Sequence, residues 1–184
     1  RSPEQIMLPI SKITPNKKNM YSVDEGEIDL LVEAIRNVGG LKQPLEVLDN
    51  GDGTYRLTTG QRRWTALQKL AKEDEKYKLA PCIIADLAEV DLPIDDELKE
   101  KYLISVTNYA NRHYTDADYY NEYLNLKEIY QAAVKNGYKL SQKMRNKIAE
   151  DLNLSPAQVG KMDYINKHAT EDVVEALKQN TVNI

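Results

Sequence analysis

Two adjacent arginines, Arg62 and Arg63, directly follow the residues Thr59-Gly60-Gln61. The residues Tyr55 to Thr58 alternate as in a strand, and helical periodicity follows the arginines to about Leu70. The arginines therefore stand at a helix N-terminus, where unpaired backbone N–H groups and the helix dipole attract anions. Because adjacent guanidinium groups can fork onto phosphate oxygens, the segment predicts a phosphate site. A glycine turn followed by two ordinary surface arginines is the alternative.

The elements that must position these arginines are predicted to be a small sheet with helices packed on it. A helix is expected from Glu27 to Val38, because its apolar residues form one stripe and two glycines follow it. Strands at Leu45–Leu48 and Tyr55–Thr58 flank a glycine-rich turn, so they form a hairpin. Ala80–Ala85 is a short buried strand. Gly60 then lies at a junction of strand and helix, where ligands tend to bind.

The second half of the chain, from about Leu98, has no convincing strand and is predicted to be helical. Residues 147–162 have the layout of a helix-turn-helix. Asn153 suits a left-handed turn, Ser155 suits a helix cap, and Pro156 suits the first helical position. Five apolar residues are expected to face inward from the two helices: Ile148, Ala149, Leu152, Val159 and Met162.

In such a motif the second helix enters the major groove of DNA. Positively charged side chains cluster here although the whole chain has a net charge of −4, and a local basic stretch can bind a polyanion. A generic helical hairpin is the alternative. The candidate DNA-binding residues are Lys143, Arg145, Lys147, Ser155, Ala157, Gln158, Gly160 and Lys161. A further helix, Glu171–Gln179, is expected to support the motif with Val173, Val174 and Leu177 turned inward.

A tyrosine-rich stretch precedes this motif, with tyrosines at 119, 120, 123, 130 and 138 among aliphatic residues. Aromatic residues can stack on nucleic-acid bases, but at helical spacing beside aliphatic residues they are more often core. We therefore predict a core role, with the hydroxyls reaching solvent. The chain has no Phe, so tyrosine supplies its large apolar groups.

The composition excludes several other classes of protein. No apolar run is long enough to span a membrane, and the N-terminus lacks a signal-peptide pattern, so a cytoplasmic protein is expected. The single cysteine, Cys82, lies in an apolar run and is interpreted as core. Besides it there are only His113 and His168, without paired spacing, so a zinc site is not expected. The chain starts without Met, and we expect it to be a piece of a longer protein.

Taken together, the segment Gly40-Leu41-Lys42-Gln43-Pro44, the hairpin and the arginines resemble the N-terminal domain of the ParB partition-protein family. That family has a Gly-Leu/Ile-x-Gln-Pro segment, a hairpin and a Gly-Glu-Arg-Arg box in this order. The opening residues 8–16 are also similar, and a helix-turn-helix follows where the family has one. The resemblance covers nearly the whole chain and implies an α+β fold: a small mixed sheet with packed helices (ParB/sulfiredoxin-like), then an all-helical helix-turn-helix domain. Domains are expected at 1–97 and 98–184.

By this resemblance the first domain binds CTP with magnesium. The residues that match the family's nucleotide site are Gly40, Leu41, Gln43, Pro44, Thr59, Gly60, Gln61, Arg62, Arg63, Asn108 and Arg112, with Asn108 as the candidate metal ligand. The chain departs from the family where Gln61 and Thr107 replace two glutamates. Because neutral groups attract magnesium weakly, we expect a triphosphate to bind with weak or absent hydrolysis. The alternative is a fold that has lost nucleotide binding and keeps the arginines for DNA phosphate.

The function implied by the resemblance is sequence-specific binding of double-stranded DNA in bacterial chromosome or plasmid partition. The full-length protein would then be a homodimer and have a partition ATPase as a further partner. A ParB-like transcription or mobile-element regulator without nucleotide binding is one alternative. A small-molecule kinase on the same scaffold is another, although a kinase has no need of a helix-turn-helix. Sulfiredoxin chemistry is disfavoured because its cysteine would stand where Gln61 and Arg62 stand here.

Overall fold

The computed structural model describes residues 3–18, 23–109, 114–179 and 181–184. The chain divides into two compact units, Arg1–Asp86 and Leu87–Ile184. The boundary between the two units lies before residue 97, the position at which the sequence analysis placed the domain boundary. Ile94 packs with Ile129 and Ala133 in one apolar cluster, so the residues after Asp86 contribute to the core of the second unit.

The first unit contains a five-stranded mixed sheet in the order β1-β5-β3-β4-β2. Its strands are β1 (Gln5–Pro9), β2 (Ile13–Thr14), β3 (Leu45–Asp49), β4 (Tyr55–Thr59) and β5 (Leu79–Ile84). The predicted hairpin is confirmed, since β3 and β4 pair antiparallel from Asp49 opposite Tyr55. The strands β1 and β2 were not predicted. β1 pairs antiparallel with β5, and β2 pairs parallel with β4. Local periodicity does not show which strands become neighbours.

Two helices of the first unit contribute to the same apolar core as the sheet, α1 (Glu25–Val38) and α2 (Gln61–Leu70). Asp24 caps α1 by accepting a hydrogen bond from the backbone N–H of Glu27 at 3.0 Å, and Gly39 ends it with a φ of 76°. Buried side chains of α1 and α2 form this core with those of β3, β4 and β5. Packing of both helices against the sheet fixes where the first residues of α2 lie.

Cys82 belongs to this core, in agreement with its interpretation as a packing residue. It is fully buried in β5, and burial raises the pKa of its thiol to about 11. Since the thiolate is the nucleophilic form, the side chain is inert at neutral pH.

The second unit contains five α-helices within the described residues: α3 (Asp96–Tyr109), α4 (Asp116–Lys135), α5 (Met144–Leu152), α6 (Pro156–His168) and α7 (Glu171–Lys178). The longest is α4, and it contacts α3, α5, α6 and α7. It begins with a capping box in which Thr115 and Asp118 bond to each other's backbone N–H groups. Within the described ranges, no helix combines the length and apolar character needed to cross a bilayer.

The tyrosine stretch lies mostly on α4, and its predicted core role is confirmed. Tyr120, Tyr123 and Tyr130 are almost completely buried. The prediction that the hydroxyls reach solvent was wrong for Tyr123 and Tyr130, which donate to the carboxylates of Asp163 and Asp151. A buried hydroxyl is costly without a partner, and an acceptor from a neighbouring helix satisfies it.

The predicted last helix forms as α7, and Leu177 is buried and Val174 packs against the core as expected. Val173 was also predicted to face inward, and that was wrong, because it is 48% exposed. Only the side of α7 that carries Val174 and Leu177 faces the core. Val173 lies on a different side of the helix and is therefore turned outward.

Candidate functional site

The segment Thr59–Arg63, called the arginine segment below, joins a strand to a helix as predicted. Thr59 ends β4, Gly60 has a φ of 100°, and Gln61 begins α2. The backbone N–H of Trp64 makes the first helical hydrogen bond, to the carbonyl of Gly60 at 2.8 Å. Gly60 has no side chain to cap the helix start, which leaves this end of α2 suited to an external anion.

Gly60 is required for space as well as for its backbone conformation. A Cβ atom at this position would lie 2.7 Å from Cδ2 of Leu45 and 3.2 Å from Nη2 of Arg63. The first distance is below any normal carbon–carbon contact. The backbone of the arginine segment therefore packs directly against β3 and against the guanidinium of Arg63.

Arg63 connects the two parts of the predicted nucleotide site. Its Nη1 donates to the carbonyl oxygen of Gln43 at 2.8 Å and to that of Pro44 at 2.7 Å. Burial lowers the pKa of the guanidinium, while the charge of Glu46 acts in the opposite direction. Glu46 itself accepts a hydrogen bond from Thr58 at 2.9 Å. Within the described residues Arg63 has no carboxylate at salt-bridge distance, so its direct partners are carbonyl dipoles and Glu46 acts only from a longer distance.

Arg62 points toward the start of α1, where its Nη2 lies 3.0 Å from Oε2 of Glu27. Both side chains are more than one-third exposed, at 38% and 57%, so this ion pair is weak. The Nε of Arg62 is buried and has no hydrogen-bond partner among the described residues. Nothing in the sequence pattern pointed to Glu27 as the partner, because the pairing depends on how α1 packs beside α2.

A cavity of about 350 Å³ lies beside Arg63. Its walls are the second half of α1 and the segment that follows, with Leu31, Ala34, Ile35, Val38, Gly40, Leu41, Lys42 and Gln43 as lining residues. The structure thus brings Gly40, Leu41 and Gln43 together with Arg63, as the sequence analysis expected. Lys42 also lines the cavity and was not among the predicted residues. Apolar walls with a cation at one end suit a ligand that has a flat ring and an anionic tail.

The remaining predicted nucleotide and metal residues lie in the second unit or outside the described residues. Asn108 is on α3 and only 8% exposed, and its Nδ2 has no hydrogen-bond partner in the described part of the chain. The hydroxyl of Thr107 donates to the carbonyl of Ile104 at 2.9 Å. Arg112 lies outside the described residues. No group of three or more His, Cys, Asp or Glu side chains suited to a metal ion occurs in the described ranges.

The predicted DNA-binding residues lie on α5, α6 and the turn between these helices. Asn153 has the predicted left-handed conformation, with a φ of 54°. The five apolar residues expected to face inward are buried. Ser155 caps α6 as predicted, since its Oγ accepts from the N–H of Gln158 at 3.2 Å. In return, Oε1 of Gln158 accepts from the N–H of Ser155 at 2.9 Å, so this amide oxygen is not free to pair with a base.

The positively charged residues of this region divide into two groups. Lys147 is held by Asp151 at 2.7 Å, and this carboxylate raises the pKa of the lysine. Lys143, Arg145 and Lys161 are exposed, and no salt bridge engages them within the described residues. The structure therefore separates Lys147 from the other cations that the sequence grouped with it.

Arg145 lies across α6. Its guanidinium carbon would be 3.6 Å from a Cβ atom built on Gly160. A shallow hollow of about 620 Å³ is lined by Arg145, Ala157, Gly160, Lys161, Tyr164, Ile165 and Ile184. Four of the eight predicted DNA-binding residues are thereby brought to one surface, which we call the α6 face. Tyr164, at 66% exposure, also belongs to it and was missed, although its spacing from Lys161 on the same helix was a usable signal.

Two networks hold the helices of the α6 face against α4. Asp163 accepts hydrogen bonds from Tyr123 at 2.7 Å, Lys127 at 3.0 Å and Lys167 at 2.6 Å. These donors hold the pKa of Asp163 well below its usual range, and burial together with Asp163 raises the pKa of Tyr123. Asp151 accepts from Tyr130 and Lys147 in a similar arrangement on α5. Lys147 and Lys167 each pair with an acid four residues away on the same helix. The partners on α4, Tyr123, Lys127 and Tyr130, are far away along the chain, so sequence periodicity does not reveal them.

Residues 2–92, which contain the sheet, the cavity and the arginine segment, match the family model of the ParB N-terminal domain. These residues belong to the ParB N-terminal domain family. A curated ParB relative, the nucleoid occlusion protein of Geobacillus sp. (strain WCH70), is 30% identical over 112 residues, which are 55% of this chain and 40% of that protein. The chain therefore spans less than half the length of this relative.

Two solved ParB structures from Caulobacter crescentus are also similar, both of the C-terminally truncated protein. The complex with the centromeric parS site has a TM-score of 0.59 and 18% identity, over 97% of this chain and 80% of that chain. The complex with CTP-gamma-S has a TM-score of 0.47 and 19% identity, over 97% of this chain and 86% of that chain. At 18% identity, the first likeness shows that the ParB fold extends through the chain.

Proposed function

We propose that this chain is the nucleotide- and DNA-binding part of a ParB-like partition or segregation protein. In this proposal the first unit binds a nucleoside triphosphate, CTP, at the arginine segment, and the second unit binds double-stranded DNA in a sequence-specific way. The full-length protein acts as a homodimer on bacterial nucleoid or plasmid DNA and has a partition ATPase as a partner.

The observation that supports nucleotide binding most strongly is the environment of Arg63. A partly buried guanidinium without a carboxylate partner among the described residues is unfavourable, because dipoles compensate a desolvated charge incompletely. A phosphate group at the start of α2 would supply the missing negative charge and would also accept from backbone N–H groups there. Arg62 would contribute from the neighbouring position, where its exposed ion pair with Glu27 is easily exchanged.

The cavity beside Arg63 supports a nucleotide over a free phosphate. Its apolar walls suit the faces of a base, and the backbone of Gly40–Gln43 offers hydrogen-bonding groups at its edge. The donors present fit magnesium poorly, since Gln61 and Thr107 are neutral where the family has glutamates. We therefore propose binding with weak or absent hydrolysis, and Asn108 remains a predicted metal ligand.

The proposal is tested by calorimetry with CTP and the other three nucleoside triphosphates on the wild-type chain and the Arg62→Ala variant. We expect Arg62→Ala to weaken CTP binding about 10- to 100-fold, because it removes charge-assisted hydrogen bonds to phosphate. Its cost to stability is about 1 kcal/mol or less, since the ion pair that is lost is exposed and the buried Nε has no hydrogen bond to lose. Arg63→Ala is less informative, because it also removes the bonds to Gln43 and Pro44.

Arg36→Ala is the matched control for charge. Arg36 lies on α1 and pairs with Glu73 at 2.7 Å, with both side chains exposed, and it does not line the cavity. An equal loss of affinity in Arg36→Ala and Arg62→Ala would show that net charge alone matters, against the proposed site. No binding heat with any nucleotide would refute the nucleotide half of the proposal. Phosphate release clearly above the buffer background would contradict the expectation of weak hydrolysis.

DNA binding is supported by the α6 face, where exposed cations surround small residues. Ala157 and Gly160 let the backbone of α6 approach a groove closely, and Arg145 and Lys161 lie beside them. Because α6 also carries a capped, rigid N-terminus, its first turns are well placed to meet base edges. The same features are compatible with a ParB-like regulator, which shares DNA binding but differs in its partners.

Gly160→Ala is expected to change stability and DNA binding in opposite directions. An added Cβ makes only ordinary contacts with Arg145, at 3.6 Å or more, so alanine stabilises the helix by about 0.5 to 1 kcal/mol. The same methyl group covers the closest point of approach to the DNA, so DNA binding weakens about tenfold. Thermal unfolding and fluorescence anisotropy measure the two effects. Unchanged or tighter DNA binding would show that the α6 face is not the DNA surface.

A further inference from the structure

The outward side of α6 carries more than the residues expected to meet DNA bases. Ala157, Lys161, Tyr164 and His168 follow each other at spacings of four, three and four, so they form one stripe along the helix. Tyr164 is 66% exposed. Its ring packs against the imidazole of His168, with ring centroids 4.5 Å apart and an interplanar angle of 38°.

The hydroxyl of Tyr164 differs from those of two buried tyrosines of the second unit. Tyr123 and Tyr130 donate to carboxylates, whereas the hydroxyl of Tyr164 makes no hydrogen bond within the described residues. Its ring nevertheless has a defined neighbour in His168 and lines the same hollow as Arg145 and Lys161. An aromatic side chain with a free donor, in the same hollow as two cations, is suited to an anionic partner.

The distance along α6 from Ala157 to Tyr164 places this hydroxyl near the edge of a DNA groove. At about 1.5 Å per residue, the seven steps along the helix from Ala157 to Tyr164 span about 10 Å. The major groove is about 12 Å wide. When the small residues Ala157 and Gly160 approach the bases, Tyr164 therefore lies near the edge of the groove, where the phosphates are.

We propose that the hydroxyl of Tyr164 donates a hydrogen bond to a DNA phosphate and that His168 holds the ring in position for this contact. This inference rests on the proposed DNA binding. The contact fixes the register of α6 in the groove and reads no base, because a phosphate is the same at every base pair. Tyr164 is thus a positioning residue that acts together with the cations Arg145 and Lys161.

The test compares Tyr164→Phe with the wild-type chain by fluorescence anisotropy, on a duplex that the wild-type chain has selected from a random-sequence library. Tyr164→Phe keeps the ring and its packing on His168 and removes only the donor. We expect binding to weaken about tenfold, on the selected duplex and on point-mutated duplexes alike. The slope of log affinity against log salt should stay unchanged, because a neutral group releases no counterion. Lys161→Ala should reduce that slope by about one.

Tyr138→Phe, which makes the same substitution away from α6, is the control and should bind as the wild type does. Equal affinity of Tyr164→Phe and the wild type would overturn the phosphate contact, while leaving DNA binding intact. A loss confined to one base-pair position would also overturn it, because Tyr164 would then read a base. If the wild-type chain selects no duplex, the DNA half of the proposed function fails first, and this inference fails with it.

Discussion

Gly60→Ala is expected to destabilise the first unit by about 3 kcal/mol and to remove nucleotide binding. Two costs add together. A left-handed backbone, with φ at 100°, costs an alanine about 1 to 2 kcal/mol. The Cβ would also lie 2.7 Å from Leu45 in the core and 3.2 Å from Arg63, and overpacking of this kind costs about 1 to 3 kcal/mol. Relief of the clash must move the helix start or Arg63, so the phosphate site is displaced in either case.

Gly39→Ala separates the two costs. Gly39 also has a left-handed backbone, with φ at 76°, but no atom lies within 4 Å of its missing Cβ. It should therefore show the backbone cost alone, about 1 to 2 kcal/mol. The single tryptophan of the chain, Trp64, lies on α2, so its fluorescence during urea unfolding reports on the first unit. If Gly60→Ala is no less stable than Gly39→Ala, the close packing of Gly60 against Leu45 and Arg63 is refuted.

Asp163→Ala is expected to destabilise the second unit by about 3 kcal/mol. The substitution leaves the hydroxyl of Tyr123 without its acceptor and the ammonium of Lys127 without its carboxylate partner. Lys127 is only 20% exposed, and an uncompensated charge in such a place is costly. Since Asp163 joins α6 to α4, loosening of the network also weakens DNA binding. Far-ultraviolet circular dichroism follows the helices, most of which lie in this unit, while the fluorescence of Trp64 reports on the first unit.

Lys167→Ala is the control, because it removes the most exposed donor, at 58%, and should cost 1 kcal/mol or less. The dependence on pH gives a second test. The pKa of Asp163 is lowered on folding, so its contribution is fully present above the unfolded value of about 3.9 and is lost as the pH falls through the lower folded value. When the pH is lowered from 5 to below the unfolded value of about 3.9, the wild type should therefore lose more stability than Asp163→Ala does. Equal losses would show that the network contributes nothing.

Local features of both candidate sites could be predicted from the sequence. The junction of β4 and α2 at Gly60, the left-handed Asn153 and the Ser155 cap each depend on a few neighbouring residues. Glycine, asparagine, serine and proline restrict or relax the backbone where they stand, so their effects are visible in a short window. The order of the matched segments then identified the family, since motif order is a property of the sequence.

The tertiary structure alone decided which of these groups meet and which are occupied. Arg63 bonds to carbonyls 19 and 20 residues away, and Tyr123 reaches Asp163 across 40 residues. Tyr130 likewise reaches Asp151 across 21 residues, whereas Lys147, which Asp151 also holds, lies only four residues before it on α5. The physical reason is the distance along the chain over which each effect acts. Backbone preferences act over a few residues, whereas the neighbours of a side chain are set by how helices and strands pack, and that packing follows from burial of the whole apolar core.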